Sequence, residues 1–261
     1  MTSVAEAIRA ALLTGEARDK VKSTRALVRA WRRGELAWDF AAAMPDRPAW
    51  PADLELLPAN RMPKRGAGSG HGAIALWHSL AHIEFVAIDL ALDMAGRFGA
   101  EMGRQFVDDF LGVAADEAMH FALLDRKLRS LGSQYGALPA HAGLWEAADD
   151  TRHDVAARLA VVPMVLEARG LDVTPGTRAR VLAQGDSHGA RLLHRILDDE
   201  IRHVAVGARH FIAHCEMSRL TAENHWKLLV RRHFRGVLKP PFNDSARLAA
   251  GLSREFYAAI A

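Results

Sequence analysis

The sequence predicts an all-α protein built around a four-helix bundle, and three observations lead to this class. Apolar residues recur at helical spacing through most of the 261 residues. Nowhere does the chain show the polar–apolar alternation of a half-buried strand. One set of acidic residues and histidines also occurs twice, at a spacing that suits paired antiparallel helices.

The repeated set is a Glu followed 33 residues later by a Glu-x-x-His motif. Its members are Glu84, Glu117 and His120 in the first half of the chain and Glu167, Glu200 and His203 in the second half. Every member of the second set lies 83 positions after its counterpart. Residues i and i+3 share one helix face, so the Glu and His of each motif point the same way. The pattern therefore predicts that the six side chains converge.

Such a set has the composition of a site for two metal ions. Four carboxylates neutralise much of the charge of two divalent cations, and imidazole and carboxylate are ligands that iron and manganese share. We predict two iron ions, with manganese as the alternative metal. The competing interpretation is a metal-free bundle in which the buried Glu and His side chains pair with each other.

These residues resemble the ferritin-like di-iron carboxylate superfamily, whose bundles use a Glu from each of two helices and a Glu-x-x-His from each of the others. The resemblance covers roughly residues 71–235. Further segments are similar to an uncharacterised bacterial ferritin-like family, which is itself similar to the tRNA hydroxylase that acts on methylthio-isopentenyl-adenosine. Those segments are residues 46–51, 62–65, 82–84, 87–90, 167–172 and 241–243.

The resemblance implies an oxidoreductase, a di-iron oxidase or monooxygenase that uses O₂ and an electron donor to oxidise or hydroxylate an organic substrate. A modified tRNA nucleoside is one candidate substrate. One alternative is a ferroxidase, a metal-storage protein or a di-manganese catalase-like protein. Another is a metal-free helical module that binds RNA through a basic segment, for which a solvated helix face is the competing interpretation. That segment holds Lys227, Arg231, Arg232, Arg235 and Lys239, interleaved with Trp226 and Phe234.

Composition narrows the class of protein further. The only cysteine, Cys215, excludes an internal disulfide and a Cys-ligated iron centre, and it fits the reducing cytoplasm. A formal charge of +3 does not by itself indicate nucleic-acid binding. We expect no membrane span, because no stretch approaches 18 uncharged apolar residues, and no signal peptide at the N-terminus.

The positions of Gly and Pro predict where helices end and how the chain is divided into segments. Residues 1–70 should hold an N-terminal helical pair and a proline-rich strap, and residues 71–261 the bundle with C-terminal helices, all in one compact unit. In the strap, residues 44–70, we expect Trp50, Leu54, Leu56 and Leu57 to be buried. Helices are expected at 4–13, 17–33, 71–97, 101–131, 144–148, 153–169, 186–215, 219–235 and 245–260, with a short helical stretch within 171–185.

Further residues near the repeated set are candidates for supporting roles. Asp116 and Asp199 precede the motif Glu residues and could accept hydrogen bonds from ligand histidines, or form ion pairs on helix surfaces. Pro163 lies four residues before Glu167 and removes a helical hydrogen bond, so it should kink its helix there. Gly207 either leaves space for a substrate or allows close helix packing. Together with Leu124, four residues after His120, Pro163 and Gly207 are the candidate pocket residues.

Overall fold

The structure is a computed structural model that describes residues 1–66 and 70–259, and it consists of helices and connecting loops. Within these ranges the only β-type pairing is two isolated bridges, so the all-α class is confirmed. The helices are α1 (Val4–Leu12), α2 (Ala17–Arg32), α3 (Gly70–Met102), α4 (Arg104–Ser130), α5 (Gly143–Asp149), α6 (Val155–Val161), α7 (Ala168–Ala183), α8 (Ser187–Met217), α9 (Ala222–His233), α10 (Asp244–Ala249) and α11 (Arg254–Tyr257). A 3₁₀ turn covers Ala59–Arg61, and a π-helix covers Val162–Glu167.

The chain divides into two compact units, Met1–Trp145 and Glu146–Ala261. This division differs from the predicted boundary at residue 70, because α1 and α2 pack against α3 and α4 within the first unit. Gly68 of the predicted strap and residue 260 of the last predicted helix lie outside the described residues.

The first unit is organised around a hairpin of α3 and α4, which pack together extensively. Gly103 alone connects them and has a φ of 85°, a left-handed conformation that glycine adopts without steric cost. The predicted end of this helix at residue 97 is wrong, because α3 continues through Gly99 to Met102. A Cβ at Gly96 would lie 2.3 Å from Met44 Sδ, and one at Gly99 would lie 2.7 Å from the Phe40 ring. These glycines therefore let residues 40–44 pack against α3.

Helix α3 is long and apolar enough to pass for a membrane span by length and composition. However, 67% of its most apolar window is buried by protein, as in the core helix of a soluble protein. In addition, α3 carries buried acidic residues, including Glu84, Asp89 and Asp93.

The strap is held to the first unit by a buried polar cluster around Asp89. Lys20 of α2 forms a fully buried ion pair with Asp89 and donates a second hydrogen bond, of 3.2 Å, to the carbonyl of Leu12. Trp50 Nε1 donates to Asp89 Oδ2 over 2.9 Å. Burial raises the pKa of Asp89 to about 6 although Lys20 and Trp50 oppose the rise, so Asp89 is ionised at neutral pH.

Burial in the strap follows the prediction only in part. Leu54 is buried, and Trp50 and Leu57 are half-buried. Leu56 is 47% exposed, so the expectation for Leu56 is wrong. The reason is backbone pairing: Ala140 N–H donates to the carbonyl of Glu55, and Leu57 N–H donates to the carbonyl of Ala140. This pairing holds the strap by its backbone and turns the side chain of Leu56 to solvent.

The second unit contains one helical run from Val155 to Ala183, composed of α6, the π-helix and α7. The predicted kink at Pro163 stays a prediction; this residue lies in the π-helix, and its nitrogen carries no proton to donate. The predicted stop at Gly170 is wrong, because α7 continues through Gly170 and Pro175. A glycine within a helix costs only about 1 kcal/mol, which packing between α7 and α8 offsets.

The remaining helices of the second unit begin and end near the predicted residues. Asp186 caps α8 by accepting a 2.8 Å hydrogen bond from Gly189 N–H. The prediction of one continuous last helix is wrong, because the structure has two separate helices there, α10 and α11. Gly251, with a φ of 80°, lies between them and ends α10 in a left-handed conformation.

Candidate metal site

Three members of the repeated set converge in the first unit. Glu84 comes from α3, and Glu117 and His120 come from α4. One ligand atom of each lies within 4.8 Å of the others. His120 Nδ1 is 3.5 Å from Glu84 Oε2 and 3.3 Å from Glu117 Oε2. All three residues are buried, so the sequence spacing predicted a side-chain cluster in the core of the protein.

The electrostatics of this cluster favour a positive charge between the two carboxylates. Burial by itself lowers the pKa of His120, but the hydrogen bonds and negative charges of Glu117 and Glu84 outweigh it and raise that pKa to about 11. The carboxylates therefore stabilise an imidazolium cation at this position. A metal ion is the other species that such a group of buried anions can stabilise.

The second unit places the counterpart residues on α8 and the π-helix. Glu200 Oε1 lies 3.6 Å from His203 Nδ1, and both residues are buried. Glu167 is the last residue of the π-helix and is partly buried. Such π-helical segments occur frequently at functional sites. Glu200 and His203 thus come together as the spacing predicted, and the role of Glu167 stays a prediction.

Tyr135 is a neighbour of the first cluster that the sequence did not single out. Its ring packs 5.1 Å from those of Phe85 and Phe121, which directly follow Glu84 and His120. Burial and the charge of Asp89 raise the pKa of its hydroxyl. Tyr135 lies in the loop after α4, so helical spacing carried no signal for this contact.

The Tyr135 hydroxyl is 2.9 Å from His82 Nδ1. His82 Nε2 faces the carbonyl of His141 at 3.0 Å and so carries the ring proton. Burial lowers the pKa of His82 to about 4, which leaves Nδ1 as the acceptor of the Tyr135 hydroxyl proton. This hydrogen-bonded pair holds the loop after α4 against α3.

His78 should make the stability of the protein sensitive to acid. Burial lowers its pKa from 6.5 to about 4, and its Nε2 accepts a 3.0 Å hydrogen bond from Gly136 N–H, which only the unprotonated nitrogen can do. Because the folded-state pKa lies below the unfolded value, its contribution is full above pH 6.5 and is lost as the pH falls towards 4. We expect this group to lower the free energy of unfolding by up to about 3 kcal/mol over that window.

Chemical denaturation of metal-free protein between pH 7 and 4 tests this expectation. The difference in stability between the wild type and His78→Gln should shrink as the pH falls, whereas replacement of His71, an exposed histidine of α3, should leave the wild-type pH profile unchanged. A constant difference between wild type and His78→Gln would show that His78 does not titrate in this way.

The two candidate aspartates lie in different environments. Asp199 is buried and accepts hydrogen bonds from Arg195 Nε at 2.8 Å and from Arg202 at 2.5 Å, both on its own helix. These contacts are the helix ion pairs that the sequence offered as the alternative. Asp116 is partly buried on α4, and its role stays a prediction.

The candidate pocket residues Pro163 and Gly207 do lie together, but they close the space between them. A Cβ built on Gly207 would be 2.3 Å from Pro163 Cβ and 2.4 Å from its Cγ. The interpretation of Gly207 as space for a substrate is therefore wrong. The absence of a side chain at Gly207 instead allows close packing against Pro163. Leu124, the third candidate, is fully buried on α4.

Gly207→Ala should consequently destabilise the protein. The Pro163 ring cannot rotate away from the new methyl group, so we expect a loss of about 1–3 kcal/mol in the free energy of unfolding. Urea denaturation measures the change. Gly112→Ala is the matched control, because its Cβ would meet nothing within 4 Å and it lies inside α4. Equal stability of Gly207→Ala and wild type would mean that Pro163 and Gly207 are not in close contact.

The basic segment is only partly available for RNA. Trp226 is fully buried, and its Nε1 donates to the carbonyl of Ala160 over 3.2 Å, so it cannot stack on a base. Arg235 pairs with Asp150 at 2.9 Å. Arg231 and Arg232 are exposed on α9. RNA binding by this segment stays a prediction, but Trp226 cannot serve as a stacking surface for a base.

Together, the fold and the cluster define a class: a helical protein with buried carboxylates and a histidine grouped as metal ligands are. The chain belongs to a family described as proteins of unknown function, DUF455, which matches residues 13–258. A Haemophilus influenzae protein described as uncharacterised is 40% identical over 222 residues, which cover 83% of this chain and 75% of that protein. No solved structure matches the chain.

Proposed function

We propose that this chain is a ferritin-like di-iron carboxylate enzyme that uses O₂ to oxidise or hydroxylate an organic substrate. Its ligands are Glu84, Glu117, His120, Glu167, Glu200 and His203. The observation that carries the proposal is the convergence of Glu84, Glu117 and His120 in a buried cluster, because the same three residue types recur 83 positions later. On this proposal the two sets of three complete one centre, in a cytoplasmic protein.

The residues present fit two divalent iron ions. Carboxylate and imidazole donors suit iron, and four carboxylates balance most of the charge of two such ions. In the first unit, Glu84 and Glu117 already surround His120 with negative charge. Metal binding would require an unprotonated histidine, so the iron ions would replace the imidazolium proton as the cation between the carboxylates.

The chain's own residues would orient and shield the centre. Glu84 and Glu117, on two helices of one hairpin, each hold a carboxylate oxygen close to His120 Nδ1. Phe85 and Phe121, the residues that follow Glu84 and His120, are buried apolar side chains and would help to keep water from the centre. When bound, the two irons would supply O₂ activation and electron storage. An organic substrate, for which a modified tRNA nucleoside is one candidate, and an electron donor complete the reaction.

The first test is metal identity. Protein purified from cells supplemented with both iron and manganese should contain about two irons per chain by elemental analysis. O₂ admitted to the reduced protein should be consumed as the ferrous iron, assayed with a chelator, disappears. Protein that instead contains manganese and rapidly dismutates peroxide would support the catalase-like alternative, and protein without metal would support the helical binding module.

A further inference from the structure

The second unit contains a cavity of about 110 Å³. The π-helix and the start of α7 form one side of the cavity, and the loop after α9 forms the other. Its walls are mainly apolar: Val165, Leu166, Phe234, Leu238 and Phe242. Apolar walls of this kind, with a few polar groups that converge on them, are typical of small-molecule sites.

A buried guanidinium forms part of the cavity wall. Arg247 is 1% exposed, and its Nε and Nη2 donate to Asp172 over 2.8 and 2.7 Å. The Cζ atom of Arg247 lies 4.9 Å from the centroid of the Phe242 ring and 4.6 Å from the centroid of the Tyr257 ring. The remaining nitrogen, Nη1, is buried and has no hydrogen-bond partner among the described residues. A buried donor without an acceptor is unfavourable, so an acceptor that reached Nη1 would be stabilised by it.

The charges around the cavity select the kind of acceptor. Arg169 is also part of the lining, and its Nη1 donates to the carbonyl of Lys239 over 2.6 Å and lies 3.5 Å from Asp172. Two guanidinium groups therefore lie beside one carboxylate, and Lys239 also lines the cavity. The local charge is positive, and an anion complements it better than a neutral group.

We propose that this cavity binds a small organic monoanion, namely a carboxylic acid with a short apolar body. Its carboxylate accepts hydrogen bonds from Arg247 Nη1 and Arg169, and its hydrocarbon part packs against Leu166, Leu238 and Phe242. A dry cavity of about 150 Å³ takes a benzene ring, so this one suits a body of about four carbons. The site is separate from the proposed metal ligands and does not depend on their loading.

Butanoate, butanamide and acetate are the probes, titrated against the full chain and followed by ligand-observed NMR. Butanoate should bind saturably. Butanamide, which has the same shape but no charge, should bind at least about ten-fold more weakly. Acetate, which lacks two of the methylenes, should bind about fifteen-fold more weakly, because each methylene contributes about a four-fold gain in affinity. Equal affinities of butanoate and butanamide, or no saturable binding of butanoate, would overturn the proposal.

Variants locate the binding. Arg169→Gln should weaken butanoate binding about ten-fold, whereas Arg178→Gln, an exposed arginine of the same helix outside the cavity lining, should not. Leu166→Trp should fill the cavity and abolish binding, whereas Leu248→Trp, on an exposed position of α10, should leave it unchanged. Butanoate affinity that is the same in Arg169→Gln and Leu166→Trp as in wild type would also overturn the proposal.

Arg247→Lys tests the unpaired donor itself. Lysine keeps the positive charge beside Asp172. It cannot both donate two hydrogen bonds to Asp172 and present a further donor at the position of Nη1, so butanoate binding should weaken at least about ten-fold. Circular dichroism shows whether this buried variant folds. If it does not, Arg169→Gln and Leu166→Trp still decide the proposal, since neither replaces a fully buried charge.

Discussion

On the proposed di-iron function, replacing Glu117 with Gln should remove most of the iron that the protein binds and leave its helices intact. The carboxylate of Glu117 is one of two that surround His120 Nδ1, at 3.3 Å. The amide of Gln has nearly the same volume but no charge, so the core remains filled while the negative charge that would hold the metal is lost. Loss of one ligand carboxylate should reduce metal content by more than ten-fold at limiting iron.

The second half of the repeated set should respond in the same way, because on the proposal both halves serve one centre. Glu200→Gln is the equivalent change on α8. Two exposed glutamates are the matched controls: Glu101→Gln on α3 and Glu216→Gln on α8. The measurement is elemental analysis with circular dichroism on the same samples. Full iron occupancy in both Glu117→Gln and Glu200→Gln would refute the ligand assignment.

Breaking the buried ion pair between Lys20 and Asp89 should cause the largest loss of stability. Both side chains are fully inaccessible to solvent, and Asp89 also accepts the Trp50 indole hydrogen bond. Asp89→Ala leaves the Lys20 ammonium buried without its counter-charge, and such a change typically costs about 3–5 kcal/mol. Lys20→Met should cost a similar amount, because the buried Asp89 carboxylate then lacks its counter-charge and keeps only the Trp50 hydrogen bond.

A double-mutant cycle separates the pair from its surroundings. The combined Lys20→Met and Asp89→Ala variant should lose much less stability than the two single changes added together, because no isolated charge remains. Lys22→Ala is the control: it removes a solvent-exposed pair with Asp19 on the same helix and should change stability by less than about 1 kcal/mol. Additive effects of Lys20→Met and Asp89→Ala would show that the two charges do not stabilise one another.

The main features of the candidate site could be predicted from the sequence because they depend on local periodicity. Glu117 and His120 are three residues apart on one helix, so their common direction follows from helix geometry alone. Glu84 could be added because a separation of 33 residues suits a helix, a turn and its return. The all-α class depended on the same kind of signal, since helical spacing recurs along the chain.

Details that depend on contacts between distant segments could not be predicted. Gly170 and Pro175 both favour the end of a helix locally, but packing against α8 carries α7 through them. Gly207 had two equal interpretations, and the position of Pro163 decided between them. Tyr135 comes from a loop, where no periodic pattern indicates which helix a side chain will contact.

The sequence by itself determined the helical class, most helix positions and the repeated acidic and histidine residues, because each of these is encoded by neighbours within one helix or by a fixed spacing. The tertiary structure alone decided which buried polar groups find partners. Lys20 meets Asp89 across 69 positions and Arg247 meets Asp172 across 75. A buried charge needs a partner somewhere in the fold, but the path of the chain decides which residue supplies it.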